Sequence, residues 1–423
     1  MKKTGFGRAA FVRMLTGGVA IQAVLSASNF IVGLLLVRRT PDAQYGYYVL
    51  ITTVIILMVI LQGSFIQPPM IIRFTRSTSD SRADLVGGLI RDQRRWMLVV
   101  PALTAAILLA VQLCGKLNAP LAAIIVSGTL AVVAGLYREF FRMVLFAYQR
   151  PNDVLRCDLV YCIVLVCGAF LSTLSAFSAA ATAITLAVAS FTAGSLLSKA
   201  LWRHEPWNRD APAGKLREIA PEGALSSFGG GVHWLFSQGY NYVVAGRLDV
   251  SAVAALAATR LLVMPITLLS TGIGTLMLPT VSKWTHDHNA PKVLGRLALF
   301  ATGIASISLC YLVGMWLARD WIFDQVLNKH FANRDLLLGM WAAISLVTIY
   351  RDQLLHFLVA RARFTLTVTA TSISAIVSLS IGFTAMLSMG VIGALLGLLV
   401  GEVLNVAGIV IFSIRDARKK PQS

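Results

Sequence analysis

Twelve long apolar blocks separated by short polar turns run along this chain, and they decide most of what it can become. A helix needs about 20 mainly apolar residues to cross roughly 30 Å of hydrocarbon. Met14–Val37, Trp96–Leu113, Leu159–Leu174 and Val391–Phe412 all lie near that length. The residues are 57% hydrophobic and only 13% charged, against about 45–50% and 25% in soluble domains. The spacing predicts spans at about 14–37, 44–66, 96–114, 119–147, 153–175, 177–201, 223–246, 251–278, 296–318, 336–359, 364–387 and 389–414. The fifth and sixth spans, and the last two, are joined by tight turns that only antiparallel neighbours tolerate.

In a soluble protein the net charge of +18 would point to nucleic acid. Here it has another reading, because Lys and Arg gather in the cytoplasmic loops of membrane proteins. With the N-terminus inside, 27 of the 37 basic residues fall on the cytoplasmic side, 7 on the outer side and 3 within spans. This asymmetry predicts a multi-pass protein of the inner (cytoplasmic) membrane with both termini in the cytoplasm. The start of the chain resembles a secretory signal. Cleavage near Ser26-Ala27-Ser28 would leave only Ile31–Val37 before Arg38-Arg39, so an uncleaved first span is the expectation. Cys114, Cys157, Cys162, Cys167 and Cys310 have no metal-binding spacing and read as small core residues.

Two stretches align at a shift of 213 positions. Tyr137-Arg138-Glu139 precedes Leu145, Ala147 and Arg150; Tyr350-Arg351-Asp352 precedes Leu358, Ala360 and Arg363. They fall in the fourth and tenth spans. A weaker echo pairs Arg39 and Gly46 with Arg247 and Ala254. Duplication of an even number of spans yields parallel bundles. The expected fold is therefore all-α and polytopic, with about 12 transmembrane helices in two six-helix bundles related by a pseudo-two-fold along the membrane normal. The expected division is 1–202 for the N-terminal bundle, 203–222 for a cytoplasmic linker, 223–414 for the C-terminal bundle and 415–423 for a basic tail.

No P-loop, zincin or G-x-S-x-G motif occurs, and no extramembrane segment approaches the roughly 50 residues of a small domain. An enzyme is not expected, nor a cofactor or metal. The chemistry lies in charges within the spans. Arg138 and Arg142 share one face of the fourth span, an unfavourable pair unless something anionic compensates. Glu139 reaches Arg142 but leaves Arg138 in excess. Arg260 and Arg351 add positive charge, and Glu139, Asp158, Asp352 and Glu402 are the acids available. Two readings stand. In one, Arg138, Arg142, Arg260 and Arg351 line a cationic cavity for an anionic substrate, since the guanidinium fork matches phosphate oxygens. In the other they form structural pairs, such as Arg138 with Asp158 or Arg351 with Glu402. The four acids are candidates for coupling to an ion gradient, Glu402 foremost. His233 and His356 read as satisfied core histidines.

Asn29–Arg39 followed by Gln44-Tyr45-Gly46-Tyr47-Tyr48 resembles the opening of Wzx-type polysaccharide flippases, a branch of the multidrug/oligosaccharidyl-lipid/polysaccharide exporter superfamily. Arg138–Ala147 and Gly390–Ala394 leading to Gly401-Glu402-Val403 are similar to later segments of that group. The resemblance implies a flippase that turns a polyprenyl-diphosphate-linked oligosaccharide from inner to outer leaflet by alternating access for polysaccharide biosynthesis. Its partners would be that lipid-linked oligosaccharide, a polysaccharide polymerase and a chain-length regulator, with a monomer as the working form. Many relatives carry an acid near the start of the seventh span, where this chain has Trp234, Gln238, Tyr240 and Asn241, residues suited to a sugar face. A multidrug or cation antiporter of the same superfamily is the alternative; it needs acids where this chain favours arginine. The major facilitator class lacks support, because its loop motif is absent from Arg73–Arg95. A scaffold within a polysaccharide-assembly complex is a third reading.

Overall fold

The apolar blocks fold as helices that leave much of their aliphatic surface uncovered. The computed structural model describes residues 8–418 except 77, 116–117 and 288–289. Lys2, Lys3, Lys116, Lys419 and Lys420, counted above in the charge asymmetry, lie outside the described residues. The described chain falls into two units: residues up to Thr40 with Tyr47–Gly231, and Pro41–Gly46 with Val232 onward.

Unit 1 carries α1 (Arg8–Arg39), most of α2 (Asp42–Arg76), α3 (Ser79–Met97), α4 (Val99–Leu113), α5 (Ala119–Ala147), α6 (Pro151–Ser172), α7 (Ser178–His204) and the start of α8 (Lys215–Arg247). Unit 2 holds the rest of α8, α9 (Val250–Asp287), α10 (Ala290–Leu317), the single turn α11 (Arg319–Trp321), a π-turn at Ile322–Leu327, α12 (Arg334–Ala360), α13 (Phe364–Met389) and α14 (Val391–Arg418). Among the described residues there are no strands.

Ten of these stretches are long and apolar enough to cross a membrane. The two other long helices, α8 and α12, sit where the seventh and tenth spans were expected. Arg351 and Asp352 lie in α12, and a run from Gln238 to Asn241 lies in α8. α4 shows the lipid-facing extreme: none of its residues is buried, and Leu103, Ile107 and Leu109 are each more than half exposed.

Each expected span falls on a helix, although α2 and α9 run on to Arg76 and Asp287 past the expected ends at 66 and 278, and α1 and α10 begin at Arg8 and Ala290 ahead of the expected starts at 14 and 296; two further differences stand out. The third expected span, 96–114, captures only α4, because α3 before it is amphipathic: Leu85, Val86, Leu89 and Ile90 are buried while Arg94 and Arg95 are exposed. Residues 215–222, assigned to the linker from sequence, form the first turns of α8.

In unit 1, α7 packs along α5 and α6, and α1 lies on α6; in unit 2, α14 packs on α13 and α12, and α12 on α9 and α10. Small residues permit the closest approaches, as they do where apolar surface alone gives no drive to associate in lipid. A Cβ at Gly397 of α14 would stand 2.4 Å from Ser378 O of α13. In unit 1 the core gathers Phe140, Phe141 and Leu145 of α5 with Val86 and Leu89 of α3. In unit 2 it gathers Leu354, Phe357 and Leu358 of α12 with Val281 and Leu297.

The internal repeat reaches down to single hydrogen bonds. After α5, Gln149 turns left-handed at φ 59° and Arg150 N donates to Leu145 O at 3.0 Å. After α12, Ala362 does so at φ 54° and Arg363 N donates to Leu358 O at 2.9 Å. Both are six-residue helix closures of the Schellman kind, which satisfy carbonyls orphaned at a helix end. The weaker echo is physical too. Arg39 stands 4.7 Å from the ring centroid of Phe170, and Arg247 stands 4.8 Å from that of Phe383. In each unit the last arginine of the first long helix caps an aromatic ring of the fifth.

Candidate functional site

The charges singled out from sequence form two clusters, one in each unit. In unit 1, successive turns of α5 present Arg138, Glu139 and Arg142 to Asp158 on α6. Arg138 Nη2 donates to Asp158 Oδ1 at 2.5 Å, and Arg142 Nε donates to Asp158 Oδ2 at 3.1 Å. Arg142 Nη1 also bonds Glu139 Oε1 at 3.1 Å. Asp158 is wholly buried. Arg138 further lies flat over Tyr161 of α6, 3.8 Å from the ring centroid, a cation–π contact strengthened by exclusion of water. Two guanidinium groups thus face two carboxylates. The excess positive charge expected at Arg138 is absent, because Asp158 one helix away supplies the missing anion.

In unit 2, Arg351 Nη1 donates to Glu402 Oε1 of α14 at 2.6 Å, while its Nε and Nη2 grip Asp352 Oδ1 at 3.0 and 2.8 Å. Here two acids face one arginine, and the buried Glu402 Oε2 has no hydrogen-bond partner among the described residues. The duplicated arginines therefore keep their place and change their partners: the neighbouring helix in unit 1, the last helix in unit 2.

Arg260 of α9 is built differently. Its Nη1 donates to Gln238 Oε1 at 3.0 Å and to Tyr240 Oη at 3.1 Å, and its guanidinium stands 5.3 Å from the ring centroid of Trp341. Trp341 is buried and fixed by its own indole, which donates to Leu256 O at 3.1 Å. Asn241 Nδ2 also donates to Gln238 Oε1, at 3.2 Å. Among the described residues no carboxylate forms an ion pair with Arg260. An arginine held by an amide, a phenol and an aromatic face is bonded without a paired carboxylate, unlike Arg138, Arg142 and Arg351.

The structure thus brings Arg138, Arg142, Glu139 and Asp158 together, brings Arg351, Asp352 and Glu402 together, and sets Arg260 apart from both groups in its contacts. His356 packs on α9, its Nε2 lying 3.2 Å from where a Cβ of Gly274 would stand. His233 is exposed rather than satisfied in a core. Gln238 and Tyr240 were legible as polar residues of the seventh span. Trp341 and Tyr161 were not, since an aromatic residue within an apolar run carries no signal of a cation above it.

No family model and no curated protein matches the sequence. Solved structures do match in fold. The chain superposes on a multidrug resistance MATE family transporter of the MOP superfamily with a TM-score of 0.76, covering 96% of this chain and 100% of that one at 13% identity. On the lipid II flippase MurJ the TM-score is 0.74, over 95% of this chain and 87% of that one at 12% identity. On the Vibrio cholerae MATE transporter VcmN it is 0.58, over 97% of both at 14% identity. The chain is an all-α polytopic membrane protein with the twelve-helix, two-bundle fold of these transporters.

Proposed function

We propose that this chain is a flippase of the Wzx type. It would carry an oligosaccharide on polyprenyl diphosphate from the inner to the outer leaflet of the cytoplasmic membrane, with both termini in the cytoplasm. The observation that carries this reading is Arg260, an intramembrane cation bonded by Gln238 and Tyr240, covered by Trp341 and without an ion pair among the described residues. Intramembrane charge is costly and is retained for function by default. A guanidinium with free donors suits a diphosphate, and the amide and aromatic groups around it suit a sugar. Arg138, Arg142 and Arg351 serve chiefly to hold helices in this reading, because their forks are engaged by Asp158, Glu139, Asp352 and Glu402. The fold match to transporters, and the absence of a nucleotide-hydrolysing motif, fit alternating access driven by an ion gradient. Glu402 is the coupling group, having one oxygen on Arg351 and one without a partner.

A second reading, a drug or cation antiporter, is favoured by that same free carboxylate oxygen. Deleting the gene in its host and measuring lipid-linked oligosaccharide and surface polysaccharide separates the two. The flippase reading expects lipid-linked repeat to accumulate facing the cytoplasm and surface polymer to fall. Wild type should restore both, and Arg260→Ala should not, although it inserts normally. Unchanged lipid intermediates with raised sensitivity to cationic drugs would establish the antiporter instead.

A further inference from the structure

Between α7 and α8 the chain does not hang free. Residues 205–214 lie strapped against the amphipathic helix α3. Asn208 N donates to Ala83 O at 3.2 Å, and Asn208 Nδ2 donates to Asp84 Oδ1 at 2.7 Å. Asp92 accepts from Gly214 N and Leu216 N, each at 2.9 Å, and so closes the strap and caps the start of α8. Only glycine admits this approach: a Cβ at Gly87 would lie 2.0 Å from Asn208 O. The strap fixes a cavity of about 390 Å³ against α3 and the last turn of α7, at the small end of the range for ligand pockets.

The walls of the cavity are cationic and aromatic. Arg91 and Arg94 come from α3, Trp202 from α7, and Trp207 and Arg209 from the strap. The two indoles stack 5.7 Å apart with an interplanar angle of 19°, and Arg209 stands 5.4 Å from the ring centroid of Trp207. Arg91 spends one nitrogen on Arg209 O at 2.7 Å. Among the described residues neither Arg94 nor Arg209 has an ion pair. Of the nearby acids, Asp84 is occupied by Asn208 and Asp92 by two backbone amides, while Asp210 is exposed and does not line the cavity, so three guanidinium groups are left facing an open pocket. Its surroundings mark a membrane edge. Trp96 at the end of α3 and Leu98 between α3 and the lipid-facing α4 are 61% and 71% exposed, and Trp202 is 43% exposed. Tryptophans of this kind sit at headgroup level, where basic pockets take anionic lipid heads.

We propose that this pocket binds the phosphate headgroup of an anionic phospholipid. The arginine forks would take the phosphate oxygens, and the stacked indoles the glycerol backbone and the root of the acyl chains. The lipid would arrive sideways from the leaflet, which is why its acyl chains need no room in the cavity. The proposal is independent of what the protein carries.

The test is thermal unfolding of the purified full-length protein in detergent titrated with phosphatidylglycerol, phosphatidylcholine or inorganic phosphate, for wild type and for Arg94→Gln/Arg209→Gln. Phosphatidylglycerol should raise the midpoint saturably in wild type, phosphatidylcholine should not, and the double variant should need roughly tenfold more lipid for the same effect. A second variant, Arg334→Gln, lies outside the pocket and should titrate like wild type. Equal stabilisation by phosphatidylcholine, or an unshifted double variant, overturns the proposal. Equal stabilisation by inorganic phosphate also overturns it, in favour of a site for soluble anions. If the double variant does not fold, native mass spectrometry of Trp202→Ala decides, with loss of retained phosphatidylglycerol expected and undiminished retention fatal.

Discussion

Arg150 and Glu205 meet at 2.5 Å where α5 and α7 end, and unit 2 rebuilds the same joint from Arg363 and Asp416 at 2.8 Å. Both arginines follow a left-handed residue that closes their helix, and both reach the far end of the sixth long helix of their unit. The closure is made by Gln149 in one case and Ala362 in the other, although glycine enters that conformation without steric cost. Ala362→Gly and Gln149→Gly should therefore each raise stability by about 0.5–1 kcal/mol, read as a higher unfolding midpoint. A lower midpoint would show that the side chain contributes more than the backbone gains.

Asp158 holds two arginines, so its removal strands charge in the bilayer. Asp158→Leu is expected to cost about 3 kcal/mol or more, while Arg138→Leu/Asp158→Leu leaves the neutral pair of Arg142 with Glu139 and should recover most of the loss. Unfolding midpoints and insertion yields of the two variants compare them. A single variant no worse than the double would remove the helix-pinning role.

Arg260 separates charge from shape. Lysine keeps the charge and loses the planar fork, so Arg260→Lys should retain part of the surface polymer while Arg260→Ala loses at least about nine-tenths of it. Both should insert as wild type does, because among the described residues no carboxylate forms an ion pair with Arg260. Full activity in the alanine variant would end its assignment to substrate.

Gly46 closes the segment of α2 that belongs to unit 2, and a Cβ there would lie 2.1 Å from Val250 O. Backbone cannot step aside as a side chain does, so Gly46→Val should abolish the folded product. Gly246→Ala, with nothing within 4 Å, should cost no more than about 1 kcal/mol in either direction. Detergent-soluble yield checks both.

Gly87→Val should lift the strap off α3. Limited proteolysis would then cut between residues 205 and 214 faster than in wild type, with the transmembrane helices left intact. Unaltered cleavage would mean that the strap is held by Asp92 and Asn208 alone.

The helices were legible because hydrocarbon thickness leaves few lengths for an apolar run, and α5 coincides with its expected span at both ends. α3 was missed as a separate element because its buried and exposed faces alternate at helical spacing, which lowers its mean apolarity. The pairs of Arg138 with Asp158 and Arg351 with Glu402 were legible as possibilities, since few acids lie within the spans. What sequence could not decide was charge balance, which depends on which helices are neighbours. The cage around Arg260 was half visible: Gln238 and Tyr240 interrupt an apolar stretch, whereas Trp341, from another helix, announces nothing. The strap read as an ordinary polar linker because Asp92 acts on backbone amides more than a hundred residues away.

The two repeat arginines have a consequence for how the gene could be rearranged. Their helix closures are interchangeable, but their counter-charges are not: one lies on the fifth long helix of its half and the other on the twelfth of the chain. Grafting α12 into the place of α5 would bring Asp352 along but leave Glu402 behind, and Asp158 would have to serve an arginine that already has a neighbour. A trade of whole sequence halves would meet the same difficulty, since Pro41–Gly46 belongs to unit 2 and Asp42 there pairs with Lys329. Each half is held together by where its acids lie, not by the repeat alone.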